Sequence, residues 1–127
     1  MVFYFDASVL ALGMALAIVR DDVLYPGASG CPVTTPATPD PEWLTHAGRH
    51  GWVVVMRDKR VRKRPGERQA LIAHGVKAFC LTGAGNYSSW RILDLLVRAW
   101  PRIEDVAATE PAPFIYSVTQ QGVRRLV

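Results

Sequence analysis

Three acidic positions in this chain stand where a carboxylate can do chemistry. Asp6 closes the short apolar run Val2-Phe3-Tyr4-Phe5, Asp58 closes Trp52-Val53-Val54-Val55-Met56-Arg57, and Asp40 stands with Glu42 just ahead of Trp43-Leu44. Carboxylates that converge at one sheet edge repel one another, and a divalent cation that prefers oxygen relieves the repulsion. Such a cation, Mg2+ or Mn2+, lowers the pKa of a water, orients it for in-line attack on a phosphodiester and neutralises the charge that develops. Directly after Asp58 come Lys59, Arg60, Arg62, Lys63, Arg64 and Arg68, six of the fifteen Lys and Arg residues. A cation run there would track a nucleic-acid backbone, with binding that weakens steeply in salt.

Each of these residues also has a plainer role open to it. Asp6 could be a turn or cap residue where a strand meets a helix, as Ala7-Ser8 would allow. Asp40 before Pro41 suits an N-cap, worth about 1 kcal/mol; Thr38 with Pro39 could be the cap instead, which moves Asp40 into the first turn. Glu42 could simply favour the positive end of the helix, or share a metal with Asp40. Asp58 could pair with Arg57 or Lys59 on the surface, for roughly 0–1 kcal/mol. Glu67 could ligate or position a metal, but reads best as a partner of Arg64 or Arg68 in the first helical turn. His46, His50 and His74 form no ligand constellation, and Trp43, Trp52, Trp90 and Trp100 read as core or interface.

The elements that must position these groups follow from patterning. Val2 to Phe5 reads as an interior parallel strand, followed by the apolar helix Val9 to Val19 and a second strand, Val23-Leu24-Tyr25. Pro26 to Pro39, rich in Pro, Gly, Thr and Ala, is a loop of a length that is often functional. A helix from about Asp40 to His50 stops at Gly51. Trp52 to Arg57 makes strand three, Pro65 to about His74 a helix closed by Gly75, and Val76 to Leu81 strand four. Thr82 to Asn86 turns the chain. Ser88 or Ser89 caps an amphipathic helix from Trp90 to Trp100, with Ile92, Leu93, Leu96, Val97 and Trp100 on one face and Pro101 breaking or restarting it. Pro113 to Thr119 and Val123 to Leu126 flank Gln120-Gln121-Gly122 as an antiparallel hairpin.

Strand and helix alternate four times, which makes the economical architecture a parallel sheet with helices on both faces and a hairpin appended. Ligands of such sheets bind beyond the carboxyl ends of the strands, where Asp6 and Asp58 lie.

Length and charge set the bounds. With 127 residues, half of them hydrophobic, the chain buries one core, and a single domain over residues 1–127 is expected. A net charge of +4 and a pI near 9.4 lean towards a polyanionic partner. Two cysteines, Cys31 and Cys80, show no paired spacing, which fits a reducing cytoplasm. Val9 to Val19 is only eleven residues long and lies between Asp6 and Arg20, whereas a membrane span takes about 20 apolar residues. The run is therefore expected to be a buried helix, with no membrane partner.

An ordered set of motifs then resembles a known family. Phe5-Asp6, Val23-Leu24-Tyr25-Pro26-Gly27, Thr38-Pro39-Asp40-Pro41-Glu42-Trp43-Leu44, Val54-Val55-Met56-Arg57-Asp58-Lys59, Arg64-Pro65-Gly66-Glu67-Arg68 and Pro113-Phe114-Ile115-Tyr116 together look like the PIN-like family of VapC-type toxins. The resemblance covers nearly the whole chain. It implies a three-layer α/β/α domain with a mainly parallel sheet, and a metal-dependent endoribonuclease that is the toxin of a toxin and antitoxin pair. It assigns Asp6, Asp58 and Asp40 or Glu42 to Mg2+ or Mn2+, with RNA as substrate, a cognate antitoxin as partner and a homodimer as an open arrangement. PIN domains often carry a fourth acid further on. Thr82 to Trp90 holds none, and Asn86 or Thr82 would have to replace it.

Two other functions stay in view. A degenerate module of the same fold would bind RNA or a protein without cutting. A phosphoacceptor receiver would use Asp58 and Thr82, but it needs an acidic pair after strand one, whereas Asp21-Asp22 precedes strand two.

Overall fold

The protein is described by a computed structural model covering residues 1–57, 65–83 and 86–127. Six strands form one sheet in the order β2-β1-β3-β4-β5-β6. They are β1 (Phe3–Phe5), β2 (Val23–Leu24), β3 (Val53–Arg57), β4 (Lys77–Leu81), β5 (Phe114–Thr119) and β6 (Gly122–Arg125). The first five run parallel, and β6 folds back antiparallel on β5. The helices are α1 (Leu10–Val19), α2 (Asp40–His50), α3 (Pro65–Ala73) and α4 (Ser89–Thr109), with a 3-10 turn at Ala7–Val9 leading into α1. This is the α/β architecture expected from the alternation of strands and helices.

Parallel strands need cover on both faces, and here each face has its own core. Phe3 and Phe5 of β1 point into one, with Val53, Val55, Phe79 and Phe114, under Leu12 of α1 and Ile92, Leu96 and Ile103 of α4. Tyr4 points into the other, with Val54, Ala78 and Ile115, under Trp43, Leu44 and Ala47 of α2 and Leu71 of α3. The period-two alternation of β1 thus divides its side chains between the layers. Fully burying a Phe or Val of this kind contributes about 1.5–3 kcal/mol.

Register sets where the strand ends fall. Phe5 pairs with Val55, and Arg57 with Leu81, which in turn pairs with Val118. The carboxyl ends of β1, β3, β4 and β5 therefore open on one edge. β2 and β3, consecutive in the chain, lie on opposite sides of β1. That reversal is a topological switch point, where doubly wound sheets leave a crevice.

Three expectations are corrected. The apolar segment Leu10–Val19 is a helix, but it is not buried all round: Leu12 and Gly13 are covered, whereas Ile18 is 85% and Val19 76% exposed. Gly13 is what lets α1 lie close on β1, since a Cβ there would come within 2.7 Å of the Phe5 Cβ. Pro101 neither ends nor restarts α4, which continues to Thr109 because Ile103, Val106 and Ala107 extend the buried face beyond it. The missing hydrogen bond at Pro101 would fall on the carbonyl of Val97, and Val97 itself is 55% exposed, not part of the packed face. Leu95 takes that place. No helix among the described residues is long and apolar enough to cross a membrane.

Candidate metal centre

Asp6 follows β1 directly and remains extended, at φ −73° and ψ −179°. Its backbone N–H donates to the Val55 carbonyl at 3.2 Å, which continues the pairing of β1 with β3. One carboxylate oxygen, Oδ1, accepts from the Ser8 backbone N–H at 3.0 Å and from the Ser8 hydroxyl. The Ser8 Oγ in turn accepts from the Arg57 N–H at 2.9 Å. A cap and a cross-strand bond are thereby joined in one hydroxyl. The plainer reading of Asp6 as a cap residue holds, yet it uses only Oδ1. Among the described residues Oδ2 has no hydrogen-bond partner, and no cation pairs with Asp6.

Asp40 reaches the same place from α2. Pro39 occupies the N-cap position and no side chain caps the helix, so Asp40 lies in the first turn. Of the two arrangements open in the sequence, the structure has the second. The Asp40 Oδ1 accepts from Trp43 Nε1 at 2.9 Å, one turn further along. The buried Trp43 indole is stacked on Tyr4, with ring centroids 5.6 Å apart. Asp40 is thus oriented by the core and not by a capping bond.

Asp6 and Asp40 line one small cavity of about 50 Å³, walled by Tyr4 and Trp43 and roofed by Pro26, Thr35 and Thr38 of the long loop. The loop is held by short local bonds. The Thr38 hydroxyl donates to the Thr35 carbonyl at 2.7 Å, and the Ala37 N–H to the Thr35 Oγ1 at 2.8 Å. Burial pushes the Asp6 carboxyl up to about 6, against the lowering effect of the Ser8 bonds, and the like charges of Asp40 and Glu67 push the same way. Burial, then Asp6, Cys31 and Asp40, holds the Tyr4 phenol far above its usual range, so it remains protonated.

The remaining predicted residues divide. Glu42 is exposed on α2 and does not line the cavity. Glu67, assigned above to a local ion pair, is a like charge close enough to act on Asp6. Arg68 is half-buried on α3, and its Nε is buried without a hydrogen-bond partner. Thr82 is half-buried and Asn86 exposed, and neither lines the cavity. Asp58, Lys59, Arg60, Arg62, Lys63 and Arg64 lie outside the described residues. Among the described residues no group of three or more His, Cys, Asp or Glu stands close enough to hold a metal ion.

The donors that are described nonetheless suit an oxygen-preferring cation. A carboxylate with one lone oxygen, a second carboxylate across a small cavity and a raised Asp6 pKa are what such an ion would relieve. Asp6 and Asp40 are the residues that would hold it.

Residues 1–83 match the family model of the PIN like domain. The chain belongs to the PIN like domain family. The family is a nuclease superfamily, and the matched stretch runs from β1 to just past β4, with both cavity carboxylates inside it. In this PIN like domain α4 and the hairpin lie beyond the match. No curated protein and no solved structure matches the chain.

The sequence places Ser8 in the turn after Asp6 and Trp43 in a core or interface, but shows neither the Ser8 bond to β3 nor the Trp43 bond to Asp40. A signal existed for Ser8, because Asp followed two residues later by a backbone N–H and hydroxyl is an Asx-turn pattern. The stacking of Tyr4 on Trp43 depends on which sheet face Tyr4 takes, and that needs the register.

Proposed function

We propose that this PIN like domain is a metal-dependent endoribonuclease, the toxin of a toxin and antitoxin pair, formed by one domain over residues 1–127. The observation that carries the reading is Asp6: Ser8 fixes one of its oxygens, and Asp6 lines a cavity with Asp40 at the β1 and β3 switch point. When bound, Mg2+ or Mn2+ supplies Lewis acidity to the scissile phosphate and lowers the pKa of water.

The chain's own groups supply the rest. Ser8 holds Asp6 against β3, and Trp43 holds Asp40 against the core, so neither carboxylate has to be ordered when substrate arrives. Tyr4 and Trp43 wall the cavity on the side of the core. Asp58 would complete the acidic set, and Lys59, Arg60, Arg62, Lys63, Arg64 and Arg68 would hold the RNA backbone. Glu42, exposed on the same turn as Asp40 and outside the cavity, would reach the metal only from solvent. The strand order β2-β1-β3-β4-β5 is shared with receiver folds, and the family match over residues 1–83 favours the nuclease.

The test is incubation of the purified protein with structured and unstructured RNAs in Mn2+ or Mg2+, with and without chelator, beside Asp6→Asn and Asp40→Asn. Cleavage that needs the metal and falls by at least about 100-fold in both variants is expected. Cleavage that persists in both variants contradicts the assignment. Binding without cleavage in the wild type would make the chain a degenerate RNA-binding module.

A further inference from the structure

The carboxyl edge of the sheet carries a second concavity, outside the stretch that the family match covers. It is a groove of about 360 Å³ between the first turns of α4 and the β5 to β6 turn, lined by Tyr87, Arg91, Asp94, Arg98, Thr119 and Gln120. The Arg91 guanidinium lies over the Tyr87 ring, 3.6 Å from its centroid. Asp94 neutralises Arg98 through two contacts of 3.1 Å. Among the described residues no carboxylate pairs with Arg91. Arg57 bridges the groove and the acid cavity, its guanidinium bonded on one side and its backbone N–H on the other. Arg57 Nη2 donates to the Tyr87 carbonyl at 3.3 Å, the Arg57 N–H donates to Ser8, and Ser8 donates to Asp6.

A flat cation on a flat ring, with the Gln120 amide opposite and beside it the Thr119 hydroxyl, which donates to Gln121 Oε1 and accepts from the Gln121 N–H, both at 3.2 Å, is equipment that holds a nucleotide. The phosphate takes the cation, the base stacks on the guanidinium or aromatic plane, and its polar edge bonds to Thr and Gln. The volume lies within the range of small-ligand sites. We infer that this groove seats one nucleotide of single-stranded RNA, with Arg91 on its phosphate, and so carries the strand away from the Asp6 and Asp40 cavity. The inference rests on the nuclease reading for the identity of the strand, while the groove itself stands on its own residues.

The experiment measures anisotropy of a labelled single-stranded RNA oligonucleotide in chelator, so that binding is read without cleavage. Arg91→Ala weakens binding about tenfold, as expected for one charged hydrogen bond. It also lowers the slope of log affinity against log salt by about 0.7. Arg91→Lys restores the slope but not the whole affinity, because the flat stacking surface is lost. In Mn2+, Arg91→Ala raises KM for the oligonucleotide more than it lowers kcat. Unchanged affinity and slope in Arg91→Ala overturn the inference, and so does an equal loss on a polyglutamate probe, which would mark a general anion patch. RNA that is bound through Arg91 but never cut would defeat the nuclease reading and leave the groove standing. RNA that is cut equally well by Arg91→Ala would do the reverse.

Discussion

At Asp6 the demands of folding and of the proposed metal binding oppose each other. Its carboxyl is held at about 6 in the folded chain, against an ordinary value of 3.8. The folded state therefore binds this proton more tightly than the unfolded state. The stabilising contribution is complete below the unfolded value and is lost as pH rises through about 6, a loss of up to about 3 kcal/mol. Asp6→Asn removes that dependence, and its amide oxygen can still accept from the Ser8 N–H. In chelator, the variant should match the wild type near pH 4 and exceed it by about 1–3 kcal/mol above about pH 7, read by urea unfolding. A stability difference that does not change with pH would show that the Asp6 environment is polar after all. The sequence made Asp6 and Asp40 legible because each follows or precedes an apolar run. It did not make Ser8 legible as the residue that ties Asp6 to β3, because the Ser8 to Arg57 bond spans 49 residues and exists only in this register.

Among the elements, α2 and α3 set how the acidic face is held. Gly48 of α2 lies against the backbone carbonyl of His74, so close that a Cβ would collide with it. Ala is the better helix former by about 1 kcal/mol, but backbone cannot move aside as a flexible side chain can. Overpacking of this kind costs about 1–3 kcal/mol or more. Gly48→Ala should therefore destabilise the protein in urea, and a net stabilisation would show that α2 and α3 are free to separate. The extents of α2, α3 and the hairpin follow their sequence signals closely, with Gly51 at φ 65° ending α2 in the left-handed conformation. α1 and α4 depart from theirs for a common reason. Hydropathy cannot tell how wide a contact stripe the sheet will use, so an all-apolar α1 is half exposed and α4 runs through a proline to keep its stripe packed. Trp90, expected in a core or interface, is 79% exposed at the start of α4.

Over the whole molecule, the order β2-β1-β3-β4-β5-β6 places the acid cavity and the groove on one edge. The cavity sits at the β1 and β3 switch point, and the groove sits where β4, α4 and β5 end or begin. Alternating strands and helices made the parallel sheet legible in advance. The groove was not, because Tyr87 and Arg91 meet Thr119 and Gln120 only through the β4 to β5 pairing. The two thiols, Cys31 and Cys80, are both buried and form no disulfide. What unites the edge functionally is the claim that Asp6 and Asp40 share one divalent cation. Calorimetric titration of Mn2+ into the wild type and Asp6→Asn, at a pH near 7.5 where both are folded, tests it most directly. The account predicts one saturable site in the wild type and at least a tenfold weaker one, or none, in Asp6→Asn. Equal Mn2+ affinity in the two proteins would contradict it.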